Sequence, residues 1–178
     1  MPKKPIVLQA SVLPLIAAIV ISSATSGITL KESSPDLKLE QIKAEKVEKI
    51  RSLEKFFDGY TSPLKANSKT FVEVAEKYGL DYRLLPAISC MESSCGKLLI
   101  EGSYNPFGWG IYGNQAIYFK DYDEAIDTVG KGLKENYLAR GLNTPEKIAP
   151  IYTPPNHVNW LNGVTFFIKK INTVDYSI

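Results

Sequence analysis

Tyr78-Gly79-Leu80-Asp81-Tyr82-Arg83-Leu84-Leu85-Pro86-Ala87-Ile88-Ser89-Cys90-Met91-Glu92-Ser93-Ser94-Cys95-Gly96 is the stretch on which the fold class turns. Just upstream, Phe71, Val72, Val74, Ala75 and Tyr78 form a compact amphipathic segment. Gly79 ends that segment, because glycine enters the left-handed conformation of a helix C-terminus without a Cβ penalty. Asp81 is placed to cap the next helix. Pro86 suits a helix only in its first turn or at a kink, so the regular part is predicted to begin near Leu85. The pattern is helix–turn–helix. At about 100° per residue, Ile88 and Met91 share a side and Glu92 falls about 20° from Leu85. A carboxylate therefore occupies an apolar row. Desolvation disfavours its ionised form and holds the proton nearer neutrality, as a general acid requires. Taken alone, the position also suits a glutamate that ends its helix in water or pairs with a base.

After the acid the residues become small. Ser93-Ser94-Cys95-Gly96-Lys97 ends the helix, and Tyr104-Asn105-Pro106-Phe107-Gly108-Trp109-Gly110 combines three aromatics, two glycines and an amide. Glycines such as Gly108 admit a ligand close to the backbone, aromatic faces stack on sugar rings, and Asn105 offers both a donor and an acceptor. A sugar chain suits this mixture, with Trp109 and Tyr112 as the stacking candidates. Residues 111–119 predict a short β-hairpin turning at Gly113-Asn114, with Tyr112 and Tyr118 as cross-strand neighbours. Phe107, Tyr118 and Phe119 also suit ordinary core or hairpin packing. Asp121 and Asp123 are placed to cap a helix from Glu124 to about Arg140.

Working outward, the chain has 178 residues, 44% of them hydrophobic, which predicts one compact domain with an appendage. Residues 1–60 carry 9 Lys/Arg and 7 Asp/Glu, while residues 61–178 carry 12 and 12. The neutral downstream part lacks the basic footprint that phosphate recognition needs, so no nucleic-acid partner is expected. One histidine, His157, and two cysteines cannot complete a four-ligand Cys/His zinc site. Asp121-Tyr122-Asp123 begins like a calcium loop, but Ile126 stands where that loop needs glycine. No metal or cofactor is expected. Cys90 and Cys95 bracket the acid. Intact helix would misalign them, so a disulfide forms only if the helix ends between them; buried, reduced thiols are the other reading, and both stay open.

Lys3 and Lys4 precede an apolar stretch from Ile6 to Ile21, and small residues follow through Gly27. Residues 1–27 thus read as a signal peptide or a membrane anchor, and either places the rest outside the cytoplasm. Leu39, Ile42, Val47, Ile50, Leu53 and Phe57 lie near one stripe of a charged helix. Residues 28–60 therefore read as a helical stalk. Asp58-Gly59-Tyr60-Thr61-Ser62-Pro63 supplies a helix stop and a turn, setting the domain at residues 61–178.

Three ordered motifs carry a family resemblance. Tyr78 to Ile88, the acid in Met91-Glu92-Ser93-Ser94-Cys95-Gly96, and Asn105-Pro106-Phe107-Gly108-Trp109 look like the bacterial endo-β-N-acetylglucosaminidase and lytic transglycosylase group of the lysozyme-like superfamily. The likeness continues through Tyr118-Phe119-Lys120-Asp121-Tyr122 and through Ile151-Tyr152-Thr153-Pro154-Pro155, with Trp160 and Val164 beyond, spanning roughly residues 63–171. It implies a mainly α (α+β) fold, a lysozyme-like helical domain with a small β-hairpin beside the cleft, acting on peptidoglycan glycan strands. By the same resemblance Glu92 matches the catalytic acid, Ser94 and Asn105 match cleft positions, and Tyr152 matches a tyrosine facing the acid.

Glycosidases ordinarily use a second carboxylate as nucleophile or base. Relatives that use one keep it in or near the β element, whereas residues 111–119 hold no Asp or Glu. Glu101 and Asp121 are the nearest in sequence. With one acid, the substrate's N-acetyl group can stabilise the cation while Tyr152 holds that group or the developing charge. Water as acceptor gives hydrolysis; the C6 hydroxyl of N-acetylmuramic acid gives a 1,6-anhydro sugar. Both outcomes stay open, with the Asn-Pro-Phe-Gly-Trp and Tyr-Thr-Pro-Pro motifs closer to the glucosaminidase branch. A noncatalytic glycan-binding module and a membrane-tethered scaffold are the rival expectations.

Overall fold

The computed structural model describes residues 34–110 and 116–173. Six α-helices stand among them: α1 (Pro35–Gly59), α2 (Ser68–Tyr78), α3 (Leu84–Ser93), α4 (Tyr122–Asn136), α5 (Pro145–Tyr152) and α6 (His157–Asn172). The fold is mainly helical, and no strand occurs among the described residues. The apolar stretch within residues 1–27 lies outside the described residues.

Most of the predicted stops and starts appear where the local chemistry demands them; Asp81 does not cap α3, whose N-cap is Arg83, and instead accepts from Arg83 N–H at 3.0 Å just ahead of it. Gly79 has φ 70° and closes α2, with Leu80 N–H returning to the Ala75 carbonyl at 2.9 Å. Pro86 falls in the first turn of α3, where its missing N–H has no intrahelical partner to lose. Asp121 caps α4 by accepting from Glu124 N–H at 2.8 Å, and Glu124 reaches back to Lys120 N–H at 2.7 Å. Asp123 instead accepts from Asn67 and Thr70. It ties α4 to α2 rather than capping a helix.

Helix α3 is the centre of the domain. Every residue from Leu84 to Cys90 is buried, so its first two turns have no wet face. Glycines let the neighbours close on it: a Cβ on Gly163 of α6 would stand 2.1 Å from Met91 Sδ, and one on Gly130 of α4 would meet Val74 at 2.4 Å and Leu85 at 3.5 Å. Glu92 is the residue at which this buried rod emerges.

Two sequence expectations need correction. The described part of the predicted stalk, residues 34–60, is not a linker outside the domain: Leu53, Phe56 and Phe57 of α1 are core residues, and Phe57 packs on Phe71 with ring centroids 5.4 Å apart; residues 28–33 lie outside the described residues. Ser52 hydroxyl donates to the Ile171 carbonyl at the end of α6, 3.2 Å away. The compact unit runs from Ser34, so the boundary at residue 60 cuts through its core. The exposed large apolar residues of α1, Leu37, Leu39, Ile42 and Val47, all precede its buried segment, which begins at Ser52. The predicted β-hairpin is the second. Residues 111–115 lie outside the described residues, and residues 116–119 carry no strand. That arm is held otherwise: Phe119 N–H donates to the Ser103 carbonyl at 2.9 Å, and the Asn105 amide donates to the Ile117 carbonyl at 3.2 Å. One backbone carbonyl and one side-chain amide hold these residues.

Candidate active site

A tight left-handed turn ends α3 one residue past Glu92. Ser94, Cys95 and Gly96 have φ of 52°, 60° and 78°, a conformation that costs about 1–2 kcal/mol for each non-glycine residue. Several contacts hold the turn. Cys90 and Cys95 form a disulfide, which is possible because the helix ends between them. Gly96 N–H donates to Ser93 Oγ at 2.9 Å, and Ser62 hydroxyl donates to the Cys95 carbonyl at 2.6 Å. A Cβ on Gly96 would meet Leu64 at 2.9 Å. The acid thus stands on a fixed end rather than a fraying one.

Glu92 is accessible from a groove of about 580 Å³. Its Oε1 accepts a hydrogen bond from Trp160 Nε1 at 2.9 Å. Its Oε2 lies toward Gly108, where a Cβ would sit 3.8 Å away. Protein around the carboxyl removes water that would stabilise the anion, and this desolvation raises the pKa above the usual glutamate range. The Trp160 hydrogen bond opposes it, more weakly.

Tyr152, the last residue of α5, faces this acid across an aromatic wall. Its ring stacks on Trp160 at 4.8 Å and has Tyr137 at 6.1 Å and Trp109 at 6.4 Å. Its hydroxyl donates to the Phe107 carbonyl at 3.3 Å. Burial, then the Glu92 charge, then Tyr137 push its pKa well above the ordinary tyrosine range, so the phenol stays neutral. With its hydrogen turned to Phe107, the oxygen is left with lone pairs to present.

The loop bearing Gly108 and Trp109 is built on Asn105. This buried amide accepts from Trp109 N–H at 3.1 Å and donates to the Trp109 carbonyl at 2.9 Å. Gly108 and Gly110 take φ of 60° and 65°, which the sharp path requires. The Trp109 ring lies against Gly132 of α4, where a Cβ would meet Cζ2 at 2.5 Å. Trp109 is therefore pinned from both sides, with its ring forming part of the groove.

The predicted residues thus divide. Glu92, Tyr152, Gly108 and Trp109 come together on the groove. Asn105 is 5% exposed and its amide is committed to backbone partners, which makes it a loop staple. Ser94 occupies the left-handed C-cap of α3 and does not line the groove. Tyr112 lies outside the described residues. Sequence reasoning did not select Trp160, Tyr137, Asn136 or Thr153. The last three line the groove, and Trp160 touches the acid itself. Trp160 shares the stripe of Val164 and Ile171 and reads as core; the usable signal was its indole N–H, which needs an acceptor once buried. Glu92 is the only charged residue of the groove among the described residues, and Glu101 and Asp121 do not line it. No protein family and no curated protein matches the chain.

Proposed function

We propose that this chain cleaves the β-1,4 bond between N-acetylhexosamines in peptidoglycan glycan strands, as a glycosidase of the endo-β-N-acetylglucosaminidase or lytic transglycosylase type. One observation carries the reading. A partly desolvated carboxyl on an exposed residue, held by an indole N–H, opens into a groove of aromatic faces, glycine backbone and neutral polar groups. Neutral sugars meet flat aromatic surface and amide or hydroxyl partners there, and among the described residues no second charge competes for them.

Glu92 protonates the glycosidic oxygen as the C1–O bond breaks and positive charge builds on the ring. The groove offers no second carboxylate among the described residues, so the cation is met by the substrate's own N-acetyl group. Tyr152, neutral and with its hydrogen engaged by Phe107, directs oxygen lone pairs at the developing charge or at that acetamide. Glu92, now an anion, then accepts a proton from the incoming hydroxyl. Water as acceptor gives hydrolysis, and the C6 hydroxyl of N-acetylmuramic acid gives the 1,6-anhydro product.

The disulfide supports an oxidising, extracytoplasmic location, in line with export or membrane tethering by residues 1–27. The partners proposed are the glycan strands and, through that segment, the membrane. A noncatalytic glycan-binding module is the second reading, favoured by the single carboxylate. Wild type and Glu92→Gln on purified sacculi, with products read by mass spectrometry, separate the two. The enzyme reading predicts soluble fragments from wild type and none from Glu92→Gln, with hydrolysed and anhydro ends differing by one water. Binding by both proteins with release by neither establishes the module instead.

A further inference from the structure

Trp160 bears on how the acid delivers its proton. Its side chain is 2% exposed, so the indole N–H requires a protein acceptor, and that acceptor is Glu92 Oε1. An indole N–H is a donor only. Oε1 must therefore present a lone pair to it. The other oxygen, Oε2, lies toward Gly108, a position with no side chain and with φ 60°.

We propose that Trp160 is a positioning residue for the acid: by holding Oε1 as an acceptor it confines the transferable proton to Oε2 and aims it at a glycosidic oxygen seated over Gly108. The assignment rests on the glycosidase reading of Glu92. In the first step the Oε2–H bond breaks and an O–H bond forms on the glycosidic oxygen. The C1–O bond cleaves with its electron pair leaving on that oxygen, so an anionic Glu92 faces a cationic sugar. The indole contact gains strength as negative charge appears on the carboxylate. In the second step the incoming hydroxyl bonds to C1 and returns its proton to Oε2. An interaction stronger in the transition state than in the resting complex raises kcat rather than lowering KM.

Among the described residues, the titratable groups that line the groove with Glu92 are the phenols Tyr152 and Tyr137. The alkaline limb of the pH profile therefore reports Glu92, which is active only while protonated. Loss of a donor to its carboxylate weakens the acid and moves that limb upward.

The test places benzothienylalanine at position 160 of the full chain, which keeps the ring shape and replaces the N–H by sulfur. Trp160→Phe serves as a second variant, and thermal melting verifies folding. On soluble uncrosslinked glycan strands, kcat is expected to fall about ten- to a hundred-fold. KM should stay unchanged and the alkaline limb should rise by about one pH unit. A folded benzothienylalanine variant with wild-type kcat overturns the assignment, as does a fall in kcat with the limb unmoved, which marks a merely structural role. Glu92→Gln run in parallel separates a failure of the glycosidase reading from a failure of the Trp160 assignment. Wild-type activity in Glu92→Gln sinks the glycosidase reading itself, whereas an inactive Glu92→Gln beside an unimpaired benzothienylalanine variant sinks only the Trp160 assignment.

Discussion

Deleting residues 1–60 is expected to unfold the domain rather than to free it from a tether. Leu53 and Phe57 are 0% exposed and Phe56 is 4% exposed, and fully burying such side chains is worth about 1.5–3 kcal/mol each. Their joint loss removes about 4.5–9 kcal/mol, against a net stability of about 5–15 kcal/mol for a typical domain. The deletion also strips the Ile171 carbonyl of its Ser52 partner, loosening the end of the helix that carries Trp160. Urea denaturation followed by circular dichroism and tryptophan fluorescence would compare residues 34–178 with residues 61–178. The longer chain should unfold cooperatively, and the shorter should lack a transition. Phe57→Ala in the longer chain should lose about 3–5 kcal/mol, as large aromatic truncations in cores do. A chain of residues 61–178 that unfolds cooperatively at the same midpoint as residues 34–178 would refute the packing of α1 described here.

Three further outcomes follow from the site. Replacing Cys90 and Cys95 together by alanine opens a loop whose ends are 5 residues apart, and stability in urea should fall by about 2 kcal/mol. It should also lower kcat more than it raises KM, because the turn that fixes Glu92 relaxes; an unchanged kcat would mean that the turn does not hold the acid. Gly132→Ala drives a methyl into the Trp109 ring while gaining about 1 kcal/mol of helix propensity. Binding of chitooligosaccharides, read by calorimetry, should weaken with little change in melting temperature, and unaltered binding would remove Trp109 from the groove's recognition surface. Glu92 has a pKa raised in the folded state, so the native protein binds the extra proton and its stability falls as pH rises from the unfolded-state pKa through the folded one. Glu92→Gln should therefore melt higher than wild type at pH 7, with the gap closing by about pH 4; a constant gap would argue against a desolvated carboxyl.

Local chemistry made much of this readable in advance. Gly79, Pro86 and Asp121 act through their own backbone geometry or their own side chains, and each sits where its chemistry predicted. Glu92 was visible for the same reason, as a charge in an apolar row at the end of a helix. What was misread depends on distant partners. In α1 the repeated lysines and glutamates form exposed pairs such as Lys49–Glu45 and Arg51–Glu48, which made a half-buried helix resemble a solvated one. Aromatic alternation around residues 111–119 predicted a hairpin, yet residues 116–119 are tied by single bonds to Ser103 and Asn105. Asn105 has the groups of a sugar ligand, but the loop it closes claims them all. Trp160 lies 68 residues from Glu92, and only the packing of α6 on α3 brings indole and carboxyl together.

Catalysis as proposed requires a protonated Glu92 in the folded chain, and that protonation can be observed without substrate. Carboxyl-¹³C NMR titration of the protein, with Glu92→Gln assigning the resonance, reads that group directly. The Glu92 midpoint is expected clearly above the ordinary glutamate value of about 4.3, and higher again when benzothienylalanine removes the indole N–H. A midpoint at or below the ordinary value, unmoved by that replacement, would contradict the proposed catalysis.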